Sequence, residues 1–384
     1  MKKKKTSRQS KAKFKATLVK FRKAKISDIP RLIELENQCF DYDQLSRRNF
    51  HWMIKKAHSI FLVIDYESEL IGYGLVLINS GTSLARLYSI CTLKEFQGHG
   101  LASKLIKELE TKAALDEDCA YLRLEVKEDN KGAIKLYEKL GYTKFTEKED
   151  YYDDGKTALC FEKRIRTLKN PHRVNIPYYT QGTEFTCGSA SLMMAMKTFN
   201  PKFEMSLSNE LQIWREATTI FMTAGHGGCG PHGLALSGWR RGFKIDMYVS
   251  RSEVLFLRSV RSEEKKKIIE LVHEDFEKKI KETSIKVIKK RFTLQDLKDV
   301  LKKGGIPLVL ITTYHFDKNR APHWVVVTAY EDGFVYIHDP DQYHNAEYIG
   351  VASRVHIPIP DDQFVKISRW GSHRLSAAVI VYKG

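Results

Sequence analysis

The sequence predicts two folded domains, the first α/β and the second α+β. Three observations carry this. At 384 residues the chain is long for a single hydrophobic core. Residues 87–109 read as strand, glycine turn and helix, within a run where short apolar strands alternate with amphipathic helices. Around residues 167–174, with Asn170-Pro171 inside the stretch, that pattern stops. A different one follows, with helices first and strands clustered late.

The elements follow in order. Residues 18–24 read as a short strand. Residues 27–40 read as an amphipathic helix, with Ser27 or Asp28 as cap and Pro30 in the first turn, where its missing N–H is tolerated. Residues 46–56 suggest a second helix. Residues 60–64 and 70–77 are apolar strands flanking the polar turn Glu67-Ser68-Glu69. In 87–109 the strand ends at Thr92, Gly98 and Gly100 break the run, and Leu101, Leu105, Ile106 and Leu109 recur at helical spacing. Residues 119–126 are another apolar strand. Asn130 can cap a helix that runs to Leu140, Gly141 suits its end, and 156–164 close the unit as a strand. The order is β-α-α-β-β-β-α-β-α-β.

Beyond the break, 174–179 read as extended and 186–198 as helical. Residues 225–233 form a glycine-rich loop leading into a helix through Trp239. Residues 262–281 are a highly charged helix, with Ile269, Val272, Phe276 and Ile280 on one face. It reads as an insertion packed on the second domain, its polar face mixing acid and base. Residues 294–301 form a short helix, and 307–313, 324–330 and 334–338 are strands.

The formal net charge is +17, and residues 1–25 hold twelve Lys or Arg and no acid. The remainder is therefore close to neutral. Residues 1–17 read as a basic disordered tail, either a solubilising extension or a weak contact for RNA, a ribosome or an anionic surface. Phe14 is its one aromatic, too little for specific RNA reading. The six cysteines form no C-x-x-C pair, no apolar segment approaches the ~20 residues of a membrane helix, and the lysines at 2–5 precede no signal-peptide core. The expectation is free thiols in a reducing cytoplasm.

A strand that feeds a helix through a glycine turn leaves N–H groups free at the helix N-terminus, an anion site suited to a phosphate. A plain strand–helix corner has the same pattern. Gln97-x-x-Gly100-x-Ala102 resembles the acyl-CoA pyrophosphate loop of the GNAT acetyltransferases, with Ala102 where Gly is common. The run Leu124-Glu-Val-Lys-Glu-Asp-Asn-Lys-Gly-Ala-Ile-Lys-Leu-Tyr-Glu-Lys-Leu-Gly-Tyr142 resembles their RimI branch, the ribosomal-protein N-terminal acetyltransferases. The resemblance covers residues 18–166 and implies a GNAT fold with acetyl-CoA as co-substrate. It implies that Gln97, Gly98, His99, Gly100, Leu101 and Ala102 hold the co-substrate, with Ile90 and Thr92 on the preceding strand and Asn130 on the pantetheine arm. It further implies Glu125 as base, Tyr137 as acid to the leaving thiolate, and a peptide or protein amine as acceptor. By side-chain chemistry alone, Glu125 reads as a solvated strand carboxylate, Tyr137 as a packing aromatic and Asn130 as a cap.

The second site starts from Cys187, which opens a helix whose dipole favours a thiolate. Gln181, six positions upstream, could join the Cys187 N–H as an oxyanion donor. Residues 323–339 read as a hairpin turning at Glu331-Asp332-Gly333. Partners lie symmetrically about residue 331, which brings His323 and Asp339 together within a residue or two of register. A carboxylate beside a histidine fixes its tautomer and supports the imidazolium. Gln181, Cys187-Gly188, His323-x-Val-Val and Asp339-Pro340 resemble the papain-like cysteine peptidases that remove double-glycine leaders from bacteriocin precursors. The resemblance covers 172–384, with Thr186 where Asp commonly precedes the cysteine. It implies a papain-like fold that cleaves a peptide. The other reading is a peptide-binding module with an idle triad. His226-x-x-Cys229-x-x-His232 has spacing for three metal ligands, yet no fourth is evident, and no metal is expected.

Overall fold

A computed structural model of the chain describes residues 14–384 except 41–43, 153, 167–173, 219–220, 223–224, 251–253, 255–256, 258–259, 261, 314–320, 342–353 and 371–373, and only the backbone of 221–222 and 225–226. The tail up to residue 13, most of the break at 167–174 and the His226 side chain lie outside the described residues. The chain forms two compact units, Met1–Ile78 with Leu87–Ala113, and Asn79–Arg86 with Ala114–Gly384.

In the first unit, β1 (Val19–Lys23) pairs antiparallel with β2 (Ser59–Tyr66), and β2 with β3 (Glu69–Ile78). Helices α1 (Ile29–Cys39) and α2 (Arg47–Lys55) lie between β1 and β2 in the chain. Asp28 stands at the cap of α1, but its carboxylate takes Arg22 and the Lys25 N–H instead of capping the helix. Ser46 and Asn49 form a reciprocal capping box on α2, satisfying two otherwise unpaired N–H groups. After β4 (Leu84–Thr92) comes α3 (Leu101–Asp116), which buries Leu101, Leu105, Ile106 and Leu109, as the spacing predicts.

In the second unit, the start of β4 runs parallel to β5 (Tyr121–Lys127), and β5 pairs with β7 (Ala158–Arg164). Between them in the chain lie α4 (Lys131–Lys139) and β6 (Thr143–Lys148), which pairs with β7. The sequence reading missed β6. Its residues are exposed or half-buried, so it carries none of the apolar alternation that marks a strand.

The rest of this unit is built on a seven-stranded sheet in the order β11-β10-β16-β12-β13-β14-β15. Its strands are β10 (Lys244–Val249), β11 (Lys286–Ile288), β12 (Ile306–Thr312), β13 (Pro322–Glu331), β14 (Phe334–His338), β15 (Ile357–Pro360) and β16 (Ala377–Tyr382). Side chains alternate between two cores. Leu308, Leu310, Trp324 and Val326 join the helices α5 (Cys187–Phe199), α6 (Leu207–Ala217), α7 (Pro231–Arg240) and α8 (Glu263–Lys281). Val309, Ile311, Val325 and Val327 join α9 (Leu294–Lys302) and the helix Asp361–Ile367. The fold classes are the expected ones, mixed sheets layered with helices.

The hairpin differs from its expected register. Asp332 and Gly333, both at positive φ, form a two-residue turn closed by Glu331 opposite Phe334, and a bulge lies between Val327 and Ala329. Val326 therefore faces His338, and His323 lies two places from direct opposition to Asp339.

Two features join the start of this unit to its later sheet. Leu84, Ala120 and Tyr121 share an apolar cluster with Ala329, Phe334 and Tyr336. The buried Arg123, paired with Glu162 at 2.9 Å, donates to the carbonyls of Val355 and His356.

Candidate functional site

The residues singled out around Cys187 converge. Thr186 caps α5 and is buried, its hydroxyl held by the Thr183 carbonyl at 3.0 Å. Cys187 is the first residue of the helix, and its N–H has no backbone acceptor among the described residues. Packing fixes the helix end. A Cβ on Gly188 would lie 2.9 Å from the Cys229 side chain and 3.1 Å from Trp324, so only glycine lets β13 and the Cys229 segment approach this closely. Trp324 donates its indole N–H to the Cys229 carbonyl at 3.0 Å, and Ser191 donates to the Trp324 carbonyl at 3.2 Å. The residue before Trp324 is His323, so this packing anchors the catalytic-type histidine against the helix that begins with Cys187.

His323 Nε2 lies 2.7 Å from Asp339 Oδ1, which leaves Nδ1 for the sulfur of Cys187, a hydrogen-bond partner of the same ring. The imidazole reaches diagonally across the shifted register. Burial alone would push His323 down, but Asp339 and Cys187 together raise it well above its ordinary value. Burial likewise works to raise Asp339, yet the imidazolium, Arg354 and the N–H of Asp341 outweigh it and hold the carboxyl at about 2. Tyr178 donates to the Asp339 carbonyl at 2.8 Å.

Gln181 is buried beside this pair. Its N–H donates to the Pro340 carbonyl at 2.9 Å, and its side-chain Oε1 is buried with no partner among the described residues. Oxygen and nitrogen of the amide are interchangeable by a flip, so a donor can face the same space. Sequence reasoning missed Glu210. It is fully buried in α6, and its two oxygens accept the N–H of Gly182 at 2.9 and 3.1 Å, while one takes the Tyr179 hydroxyl at 2.8 Å. It fixes the backbone next to Gln181. An acid in a helix first turn reads as an ordinary surface residue, so no local signal marked it.

Of the metal motif, the His226 side chain lies outside the described residues, and the other two members face different neighbours. Cys229 packs against Ser189 and Trp324, and burial pushes its thiol up to about 12. His232 faces His273 of α8 instead.

The acetyl-transfer residues divide between the two units. In the first, Gly98 and Gly100 take φ of 79° and 75°, and nothing lies within 4 Å of a Cβ built on either. The loop leads into α3, and the N–H groups of Gly98, His99, Gly100, Leu101 and Ala102 make no backbone hydrogen bond among the described residues. Gln97 donates to the Thr92 carbonyl at 3.1 Å, bracing the loop, and Thr92 keeps a buried hydroxyl without a partner among the described residues. Ile90 is half-buried on β4. Open glycines, free donors and an orphan hydroxyl fit a phosphorylated co-substrate. Phe14 stacks on Tyr66 and lies 4.1 Å from the His99 ring, so the start of the described chain rests on this loop.

In the second unit, Glu125 is not the solvated carboxylate its chemistry suggests. Its Oε2 takes Arg86 Nε at 2.8 Å, both side chains are buried, and its Oε1 has no partner among the described residues. Tyr137 is buried against Tyr142, and burial raises its phenol to about 12. A phenol so raised keeps its proton at neutral pH. Asn130 caps α4 by accepting from Ala133 N at 3.1 Å.

Known proteins resemble both parts. Residues 29–142 match the Acetyltransferase (GNAT) family, and residues 176–382 match the Peptidase_C39 like family. An uncharacterized N-acetyltransferase of Methanocaldococcus jannaschii is 30% identical over 111 residues, 29% of this chain and 70% of that protein. The thialysine N-epsilon-acetyltransferase of Bos taurus is 38% identical over 86 residues, 22% of this chain and 50% of that protein. A putative [ribosomal protein bS18]-alanine N-acetyltransferase of Bacillus subtilis is 26% identical over 140 residues, 36% of this chain and 90% of that protein. The GNAT acetyltransferases use acetyl-CoA as co-substrate. The chain thus carries a GNAT acetyltransferase domain, and over residues 176–382 it belongs to the Peptidase_C39 like family.

Proposed function

We propose a two-headed peptide-modifying enzyme, with an acetyltransferase domain over 18–166 and a cysteine peptidase domain over 172–384. The observation that carries the second activity is the 2.7 Å His323–Asp339 pair, whose imidazole also partners Cys187. In this reading His323 Nδ1 takes the Cys187 proton as sulfur attacks a peptide carbonyl. Gln181 and the Cys187 N–H stabilise the oxyanion, and the imidazolium returns its proton to the leaving amine. Water then hydrolyses the thioester and restores the thiol. Asp339 holds the tautomer and does not itself take the proton.

In the first activity acetyl-CoA supplies the acetyl group. The loop 97–102 holds the pyrophosphate, Glu125 accepts a proton from the ammonium through Oε1, and Tyr137 protonates the departing thiolate. The B. subtilis relative's name supports an N-terminal α-amine as acceptor, and the bovine relative's name supports a side-chain amine. The longer match, over 140 residues, favours the α-amine.

A peptide library incubated with acetyl-CoA and the full chain tests both activities in one mass spectrum. The expected result is added acetyl groups on peptide N-termini and new termini from cleavage. Cys187→Ala removes the new termini and leaves the acetyl groups. A spectrum with neither change contradicts the proposal.

A further inference from the structure

We propose that His232, His273 and Glu277 form a binding site for a divalent metal of the zinc class, bridging α7 and α8. The three side chains each offer one ligand atom, and these atoms lie within 4.8 Å of one another. His273 Nε2 and Glu277 Oε1 are 3.7 Å apart. Two ligands at ~2.1 Å on a tetrahedral ion stand roughly 3.4 Å apart, so small rotamer changes complete the set.

Local structure supplies this geometry. His273 and Glu277 are four apart on α8 and therefore share a face one turn apart. His232 enters from the first turn of α7, behind Pro231, and its ring meets that of His273 at 4.6 Å and 77°. Both histidines are buried, and the described residues give neither ring a hydrogen bond. Two imidazoles and one carboxylate select zinc or a neighbouring transition metal over calcium or magnesium. Glu277 is 42% exposed, which opens a path for the ion and leaves a coordination position for water.

The site has a structural consequence. Only Gly230 separates Cys229, whose carbonyl anchors Trp324, from Pro231 at the head of α7. A metal here ties α8 to the segment that buttresses His323. The sequence reading expected no metal at His226, Cys229 and His232, and this ligand set escaped it because His273 is remote in the chain and meets His232 only in the fold.

The experiment is a titration of the chelator-stripped full chain with Co²⁺, read by its visible absorption, with Zn²⁺ as competitor. One equivalent of Co²⁺ is expected, displaced by Zn²⁺. Glu277→Gln, at an exposed position that leaves folding intact, weakens binding by at least about tenfold, and His273→Gln weakens it further. Cys187→Ala leaves binding unchanged, which separates the site from the Cys187–His323 pair. No saturable Co²⁺ binding, binding unaffected by Glu277→Gln and His273→Gln, or binding lost in Cys187→Ala each overturns the proposal.

Discussion

Two of the buried carboxylate–cation pairs described in the second unit differ in a way that separates two kinds of chemistry. Arg86–Glu125 joins a carboxylate to a guanidinium at 2.8 Å, and His323–Asp339 joins one to an imidazole at 2.7 Å. A guanidinium does not give up its proton in a protein. The first pair therefore orients Glu125 and leaves its second oxygen to meet an amine. An imidazole titrates near neutrality and has a second nitrogen, so the second pair can pass a proton to and from Cys187. In the proposed function, similar distance and burial serve a fixed base in one place and a proton carrier in the other.

Loss of the proton carrier's partner has the largest expected effect. Cys187→Ala lowers peptide cleavage by roughly 10⁴-fold or more and leaves acetylation unchanged. Gln181→Ala lowers cleavage by about 10²–10³, because an oxyanion donor acts only on the transition state. Rates of peptide hydrolysis and acetyl transfer on the same preparation check both. Cleavage surviving Cys187→Ala would remove sulfur from the mechanism.

The fixed pair is tested next. Glu125→Gln lowers acetyl transfer by roughly 10²-fold, most at low pH, where the amine holds its proton most firmly. Tyr137→Phe slows turnover by at least about tenfold with little change in acetyl-CoA affinity. Steady-state profiles between about pH 6 and 9 read both, and wild-type turnover in the two variants would leave the base and acid unassigned.

The two members of the His323–Asp339 pair respond to pH in opposite senses. Asp339 is held at about 2, below the ordinary 3.8 of an aspartate. Its stabilisation is therefore present above pH 3.8 and lost as pH falls through about 2, an effect of about 2 kcal/mol between about pH 5 and pH 2. His323, raised in the fold, acts in the opposite sense. Its contribution is complete below its unfolded value and is lost as pH rises through the folded one. Chemical denaturation across acid pH should show a shallower decline for Asp339→Asn than for the wild type. Equal slopes would mean that Asp339 is not held ionised by its neighbours.

The smallest effect is at the loop. Gly100→Asp places a carboxylate where phosphate is expected, on a backbone at φ 75°, and weakens acetyl-CoA binding by about 1–2 kcal/mol by calorimetry. Unchanged affinity would move the pyrophosphate elsewhere.

Legibility in the sequence followed the locality of the signal. The α3 stripe, the Ser262-capped α8 and the Asp332-Gly333 turn are each encoded within a few residues, and each formed. The His323–Asp339 pairing was legible because one hairpin carries both residues, although the bulge near Thr328 moved the register. The strands β10, β15 and β16 went unread. In the sheet order β16 sits between β10 and β12, partners distant in the chain, and nothing in its own six residues names them. Glu210 and the His232–His273 meeting were hidden for the same reason, since each depends on packing between elements far apart in sequence.

The central claim is that Cys187 and His323 act as one nucleophile–base pair, and competitive alkylation of the native chain tests it most directly. Iodoacetamide at about pH 6 leaves an ordinary thiol, with its pKa about 8.5, almost wholly unreactive. Burial pushes Cys119, Cys160 and Cys229 up to about 12, so each should be slower still. Peptide mapping should find Cys187 modified first, with His323→Ala removing that lead and Gln181→Ala leaving it intact. Cys187 reacting no faster than Cys229 or Cys160, or keeping its lead without His323, would contradict the account.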